Sequence, residues 1–272
     1  RGKFYPKGLR QKDELSYAAG KFRSVEINGT FYSLQRPESF RCWRDATPED
    51  FVFAVKGARY ITHLKRLKEI EAPLANFFAS GVLALEEKLG PILWQLPPNF
   101  RFDAKRLSAF FDLLPRDGAA AARLAKGHDA KLKRPPFTRC ERVGRLRHAL
   151  EIRHESFRDA EFIRLLRAHD IALVAADTVE WPLLMDVTAD FVYVRLHGSR
   201  QLYASGYGPK ALQQWAGRIK AWARGKEAEG EHAGPPAHKT SGRKSRDVYV
   251  CFDNDAKVRA PADAEALAAL LR

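Results

Sequence analysis

The sequence predicts a single α/β domain of the TIM (β/α)8 barrel class, with its first strand missing from the chain, on three observations. Strand-like and helix-like segments alternate along the 272 residues, the order that builds a parallel sheet covered by helices. The strand-like runs are almost continuously apolar, as a parallel sheet buried on both faces requires. Each of the seven runs also ends in a polar or charged side chain, at the end of the strand where barrels of this class build their active sites. The rival is an open doubly wound sheet. No GxGxxG or P-loop follows any strand, which removes that fold's usual phosphate-binding turn.

Taken in order, Leu9 to Lys21 reads as a helix with Leu15, Ala18 and Ala19 able to pack and Gly20 near its end. Phe22 to Asn28 reads as a strand, with Val25 and Ile27 on one face and Glu26 and Asn28 on the other. Pro37 opens a helix that runs to Asp45, since proline suits a first helical turn. Phe51 to Val55 is a strand with Lys56 directly after it. Leu74, Phe77, Phe78, Val82 and Leu85 recur at helical spacing and predict one long amphipathic helix from Leu74 to Leu89, stopped by Gly90. The strand Ile92 to Leu96 carries Gln95 and halts at Pro97 and Pro98; a helix from Ala104 to Leu114 follows. Between Pro115 and Arg147 the pattern degrades into an alanine-rich start and then Lys131-Leu-Lys-Arg-Pro-Pro136, read as a surface insertion.

The stretch His148 to Ser156 is the centre of the chain: an apolar strand that runs into Glu151, Arg153, His154 and Glu155. Glu151 and Arg153 share a strand face. Burying either one unpaired is costly, so they must pair or line a polar cavity. Asp159 to His169 then reads as a helix, Ile171 to Ala176 as a strand delivering Asp177, and Phe191 to Leu196 as a strand delivering Arg195 and His197. A helix spans Lys210 to Arg224; residues 225–246 are rich in Gly, Pro, Lys and Glu, too polar to order themselves. Asp247 to Phe252 is the last strand, followed by Asp253 and Asn254 and a helix near Ala262 to Leu271.

A hydrophobic content of 45% is ample for a core. No run of about 18 apolar residues occurs, so no membrane span and no membrane partner are expected. Three scattered cysteines without a CxxC pair argue against a disulfide framework or a cysteine zinc site and fit a cytoplasmic protein. A net charge of +14 favours an anionic small molecule or a nucleic acid as partner. The plainer reading of that charge is solvated Lys and Arg on helices and in the two polar segments.

At the strand ends, Glu26, Glu151, Asp177 and His197 are the candidate catalytic residues, able to share acid and base roles if their surroundings separate their pKa values. The same carboxylates with His197 would also suit a divalent metal. Asn28, Lys56, Gln95, Arg153, Arg195, Tyr207 and Asn254 are the candidate substrate-binding residues, and the cations among them favour a phosphate or carboxylate. Phe31, Tyr32, Tyr60, Trp94, Trp181, Tyr203 and Tyr207 offer rings for stacking, or simply pack the loops. The segment from Leu202 to Tyr207 is the candidate mobile lid. His154, Glu155 and Ser156 lack a GxSxG elbow and are read as helix entry, with Ser156 or Asp159 as the cap.

As a set, six ordered motifs resemble the YecE-like family, a domain of unknown function: Val25-Glu-Ile-Asn-Gly-Thr-Phe-Tyr32, Phe53-Ala-Val-Lys-Gly57 with Tyr60-Ile-Thr-His63, Trp94-Gln-Leu-Pro-Pro98, Glu151-Ile-Arg-His-Glu-Ser156, Tyr193-Val-Arg-Leu-His-Gly198 and Phe252-Asp-Asn-Asp-Ala256. The resemblance implies a TIM barrel and brings no established reaction. It also implies a first strand with a Gly-Thr-Ser-Gly-Trp-like motif ahead of Tyr5 and Pro6, which supplies the expected eighth strand. The expected function is an enzyme acting on an anionic substrate, with phosphoester hydrolysis as the leading chemistry. A sugar or sugar-phosphate isomerase or lyase, and a nucleic-acid-binding module, are the alternatives.

Overall fold

The structure, a computed structural model, describes residues 3–198, 202, 205–236, 245–254 and 258–272. The chain forms two compact units, one of Leu9–Pro97 and Lys105–Ala149, the other of Arg1–Gly8, Pro98–Ala104 and Leu150–Arg272.

In the first unit the helix expected over Leu9 to Lys21 is a 3-10 turn, Gln11–Asp13, followed by α1 (Glu14–Ala19). β1 (Ser24–Ile27) leads into α2 (Gly29–Tyr32) and α3 (Pro37–Asp45), with Pro37 in the first turn of α3 as anticipated. β2 (Val52–Lys56) pairs with β1 in parallel, placing Glu26 level with Ala54. A π-helical turn, Tyr60–Leu64, comes next and had no signal in the sequence pattern.

The long helix expected from Leu74 to Leu89 is two elements. α4 (Glu71–Ala79) stops before Gly81, whose φ is 116°, and a 3-10 stretch occupies Val82–Lys88. Glycine is suited to a left-handed turn that breaks the helical ladder. The turn also lets the chain close on α3: a Cβ at Gly81 would lie 2.6 Å from the Pro37 Cα. Residues Leu74 through Ala79 are all buried, so this helix is enclosed instead of amphipathic.

β3 (Leu89–Gln95) pairs in parallel with β2. After α5 (Ala104–Leu113) comes α6 (Gly118–Ala125), capped by Asp117, whose carboxylate accepts from the Ala120 N–H at 2.7 Å. The segment expected as a surface excursion is therefore built into this unit. Ala121 and Ala125 are fully buried, the Phe137 N–H donates to the Ala79 carbonyl at 2.8 Å, and Asn76 donates to Asp129 at 2.8 Å. β4 (His148–Glu151) is buried throughout. At its start Trp94 Nε1 donates to His148 Nδ1 at 3.2 Å, and His148 Nε2 lies 2.8 Å from the Pro115 carbonyl.

The second unit holds α7 (Ala160–Ala168), β5 (Ile171–Asp177), β6 (Phe191–Leu196), α8 (Pro209–Ala223), β7 (Asp247–Phe252) and α9 (Ala260–Leu271). Asp159 caps α7 by accepting from the Glu161 N–H at 2.7 Å, whereas Ser156 accepts from the Phe102 N–H at 2.9 Å. Residues 225–236 of the polar loop are tied in: Asp186 accepts from the Ala233 and Gly234 N–H groups at 2.8 and 3.1 Å. The remainder of that loop, 237–244, lies outside the described residues.

Strand order follows chain order, β1 to β7, in one seven-stranded sheet. Parallel neighbours joined through helices, except β5 and β6, which a helix-free loop connects, give the TIM-barrel connectivity, with seven strands among the described residues where the closed form has eight. Among the described residues no helix is long and apolar enough to cross a membrane.

Candidate active site

Strand parity sorts the side chains at the ends of β5, β6 and β7. Ala175 of β5, Val192, Val194 and Leu196 of β6, and Val248, Val250 and Phe252 of β7 pack with Trp215, Ile219 and Trp222 of α8 and Leu267 of α9. The alternate positions face away from these helices. On β6 they are Tyr193 and Arg195, followed by His197; on β7 they are Tyr249 and Cys251, followed by Asp253. The ladder sets Tyr193 level with Tyr249 and Arg195 level with Cys251. The Asp253 N–H extends it by donating to the Leu196 carbonyl at 2.9 Å.

That face carries a cluster of buried charges. Arg195 Nη1 donates to Glu151 Oε2 at 2.6 Å and Nη2 to Asp253 Oδ2 at 2.9 Å. Arg153 Nε donates to the other Glu151 oxygen at 2.8 Å. His197 stands between the two carboxylates, with Nδ1 3.2 Å from Asp253 Oδ2 and Nε2 3.7 Å from Glu151 Oε2. The side chains of Glu151, Arg195 and His197 are fully buried, while those of Arg153 and Asp253 are 10% and 25% exposed. The Arg153 guanidinium lies 4.1 Å from the centroid of the Trp181 ring, a cation–π contact. Trp181 in turn meets His197 edge-on at 5.5 Å.

These neighbours set the protonation states. Burial opposes ionisation of Glu151, but Arg195, Arg153 and the hydrogen bond to His197 hold its carboxyl well below the usual range. Burial likewise opposes a charged His197; the Asp253 and Glu151 carboxylates outweigh it and raise the imidazole above its ordinary value. The two carboxylates and two guanidiniums cancel, so a proton on His197 leaves the cluster with one positive charge. Burying a carboxylate or guanidinium unpaired is expensive, which makes the pairing of Glu151 and Asp253 with the two arginines a condition of the fold here.

The other candidates of this unit serve elsewhere. Asp177 shares the parity of Ala175, turns to the helices and accepts from Trp215 Nε1 at 2.9 Å. Tyr207 accepts from the Gly198 N–H at 3.1 Å, and burial followed by the nearby Asp177 carboxylate raises its phenol pKa. Asn254 donates to the Ser205 carbonyl at 3.0 Å and to Asp263 at 2.8 Å. Asp263 also accepts from the Tyr207 N–H at 3.1 Å. These three residues therefore anchor 205–207, the C-terminal part of the candidate lid, to α9; Tyr203 lies outside the described residues. Asp253, which follows the last strand together with Asn254 and is a further carboxylate able to act as acid or base, is the member of that pair that joins the cluster. Alternation along β7 was the signal that separates them.

Glu26, Asn28, Lys56 and Gln95 belong to the first unit. Lys56 is buried with its ammonium 4.3 Å from the Phe31 ring centroid. Gln95 is buried and Glu26 partly so, while Asn28 is exposed and offers its carbonyl to the Phe31 N–H at 3.1 Å. Among the described residues no three His, Cys, Asp or Glu side chains gather as metal ligands would.

Comparison with known proteins agrees with the architecture. The profile of the family described as "Protein of unknown function DUF72" matches residues 1–272. The UPF0759 protein YecE of Escherichia coli K12 is 33% identical over 113 residues, 41% of this chain and 41% of that protein. The same protein from strain O157:H7 matches equally. The chain thus aligns to under half the length of these curated relatives. A crystal structure of a DUF72 family protein from Thermotoga maritima MSB8 superposes over 100% of this chain and 94% of that one, with a TM-score of 0.71 and 24% identity. One from Enterococcus faecalis V583 covers 94% and 92% of the two chains with a TM-score of 0.65 and 17% identity. At these identities the likeness concerns the fold.

Proposed function

We propose a function for a chain that belongs to the DUF72 family of proteins of unknown function: an enzyme that binds an anionic, phosphate-bearing substrate beside Arg153 and His197 and hydrolyses its phosphoester. The observation that carries this reading is the position of His197 between Asp253 and Glu151, whose carboxylates favour a positive charge on its imidazole. A singly charged phosphoryl group complements that charge, and Arg153, over the Trp181 ring, supplies a planar cation of the kind that suits phosphate. The depressed carboxyl of Glu151 makes it a poor base. In this reading Glu151 orients the two arginines and His197, while Asp253 takes the proton that water loses and protonated His197 gives its proton to the leaving oxygen, after which Asp253 returns a proton to His197.

The test is turnover of p-nitrophenyl phosphate and bis(p-nitrophenyl) phosphate by the full chain and by its His197→Asn variant. Turnover falling by roughly 100-fold or more in the variant is expected for a group that moves a proton in the transition state. Unchanged turnover removes His197 from the chemistry. Absence of turnover with both probes, together with no thermal shift by inorganic phosphate, would falsify the anion-site reading as a whole.

A further inference from the structure

The first unit carries a second feature that the charged cluster does not use. Among the described residues six large hydrophobic side chains are exposed, and four of them, Tyr32, Leu34, Tyr60 and Leu64, surround one pocket. Its volume is about 520 Å³, within the range of small-molecule sites. Tyr32 is 70% and Leu64 62% exposed, which costs solvation free energy that a plain surface has no reason to accept.

Three aromatic rings contribute to its walls. Phe31 and Tyr32 meet edge to face at 5.1 Å, and Tyr60 opens the π-helical turn Tyr60–Leu64. Such turns are rare and are frequent at functional sites. Just beyond it Arg66, Leu67 and Glu69 all have positive φ, between 49° and 63°, a run of unfavourable backbone for residues with a Cβ. The cations of the lining are Arg59 and Lys131, and no carboxylate joins them there. Lys131 Nζ lies 3.5 Å from the Tyr60 hydroxyl and 5.6 Å from its ring centroid. Asp129 steadies the segment that presents this lysine by accepting from the Lys131 N–H at 2.9 Å and from Asn76 at 2.8 Å.

We propose that this pocket binds a mononucleotide, its base stacked against Tyr60 and Tyr32 and its phosphate met by Lys131 and Arg59. Flat rings suit a planar base, which supplies a π-face whatever its sequence identity. Two cations, without a carboxylate among the lining, suit the single phosphate. The volume accommodates one nucleotide.

Calorimetric titration of the full chain with adenosine 5′-monophosphate, adenosine, inorganic phosphate and a 12-nucleotide oligothymidylate tests this. The monophosphate is expected to bind saturably and more tightly than adenosine or phosphate. Tyr60→Ala should weaken it by roughly 5- to 100-fold, the effect of losing one base–aromatic stack. Lys131→Ala should weaken the monophosphate but leave adenosine unchanged. Both side chains are exposed, so each variant should keep the parent melting temperature, and the loss caused by Tyr60→Ala should appear equally in the Arg153→Ala background, which separates this pocket from the charged cluster. Absence of saturable binding in the millimolar range overturns the proposal. So does binding lost in Arg153→Ala but kept in Tyr60→Ala, or binding confined to the oligonucleotide and collapsing with salt.

Discussion

Two histidines in this chain are buried to a similar degree and are driven in opposite directions by what surrounds them. His148 is enclosed by Trp94 and the Pro115 carbonyl, and burial brings its pKa down to about 4. His197 is also enclosed, but the carboxylates of Asp253 and Glu151 raise it. Their linkage to stability therefore has opposite signs. Unfolding exposes both at an ordinary value near 6.5. For His148 the unfolded chain takes up the proton first, so stability falls as pH drops from about 6.5 to about 4, by at most about 3 kcal/mol. For His197 the contribution is fully present below about 6.5 and fades as pH rises through the raised folded value. Urea unfolding midpoints followed from pH 4.5 to 8.5 are expected to fall on both sides. His197→Asn should flatten only the alkaline side; a variant that retains the alkaline fall would show that His197 is not the group responsible. Parity also decides roles at this scale. Asp177 and Asn254 stand at strand ends as the charged cluster does, yet they point to α8 and α9 and hold structure there.

Among the elements, α4 and the 3-10 stretch after it show how one residue divides a pattern that reads as continuous. Apolar spacing runs unbroken from Leu74 to Leu85, because every residue of that span is buried on both sides of the break. The break comes from Gly81, where the backbone turns left-handed and closes on Pro37. Gly81→Ala is expected to destabilise the chain by about 1–3 kcal/mol through the positive φ, with a further loss from the clash against the α3 backbone. Thermal unfolding measures it. A melting temperature equal to the parent's would mean that α3 and α4 can separate at this point without cost. The π-helical turn Tyr60–Leu64 was equally hidden: its five-residue hydrogen bond, Lys65 N–H to the Tyr60 carbonyl at 2.8 Å, follows no side-chain periodicity.

For the molecule as a whole the dominant quantity is a net charge of +14. Like charges repel in the compact state more than in the expanded chain, and salt screens them over about 10 Å at 0.1 M. Raising sodium chloride from 10 to 200 mM is therefore expected to raise the melting temperature by roughly 2–4 °C, equivalent to about 1 kcal/mol. The buried pairs around Arg195 are shielded from ions and should contribute little to that slope. A flat or falling response would mean that surface ion pairs, such as Arg142 with Glu86 and Lys65 with Glu69, outweigh the general repulsion.

The class of fold, the alternation of its elements and the residues Glu151, Arg153, Arg195 and His197 were all legible in the sequence. Parallel strands must be apolar on both faces, and an ionisable group inside such a run has to find a partner. Which partner it finds is a tertiary matter. Arg195 reaches Glu151 across 44 positions of chain and Asp253 across 58, separations that no local pattern records. Tertiary structure likewise chose Asp253 over Asn254, turned Asp177 outward, and folded the segment 115–147 onto α4. Periodicity describes the faces of one element; what lies opposite each face depends on the elements packed against it.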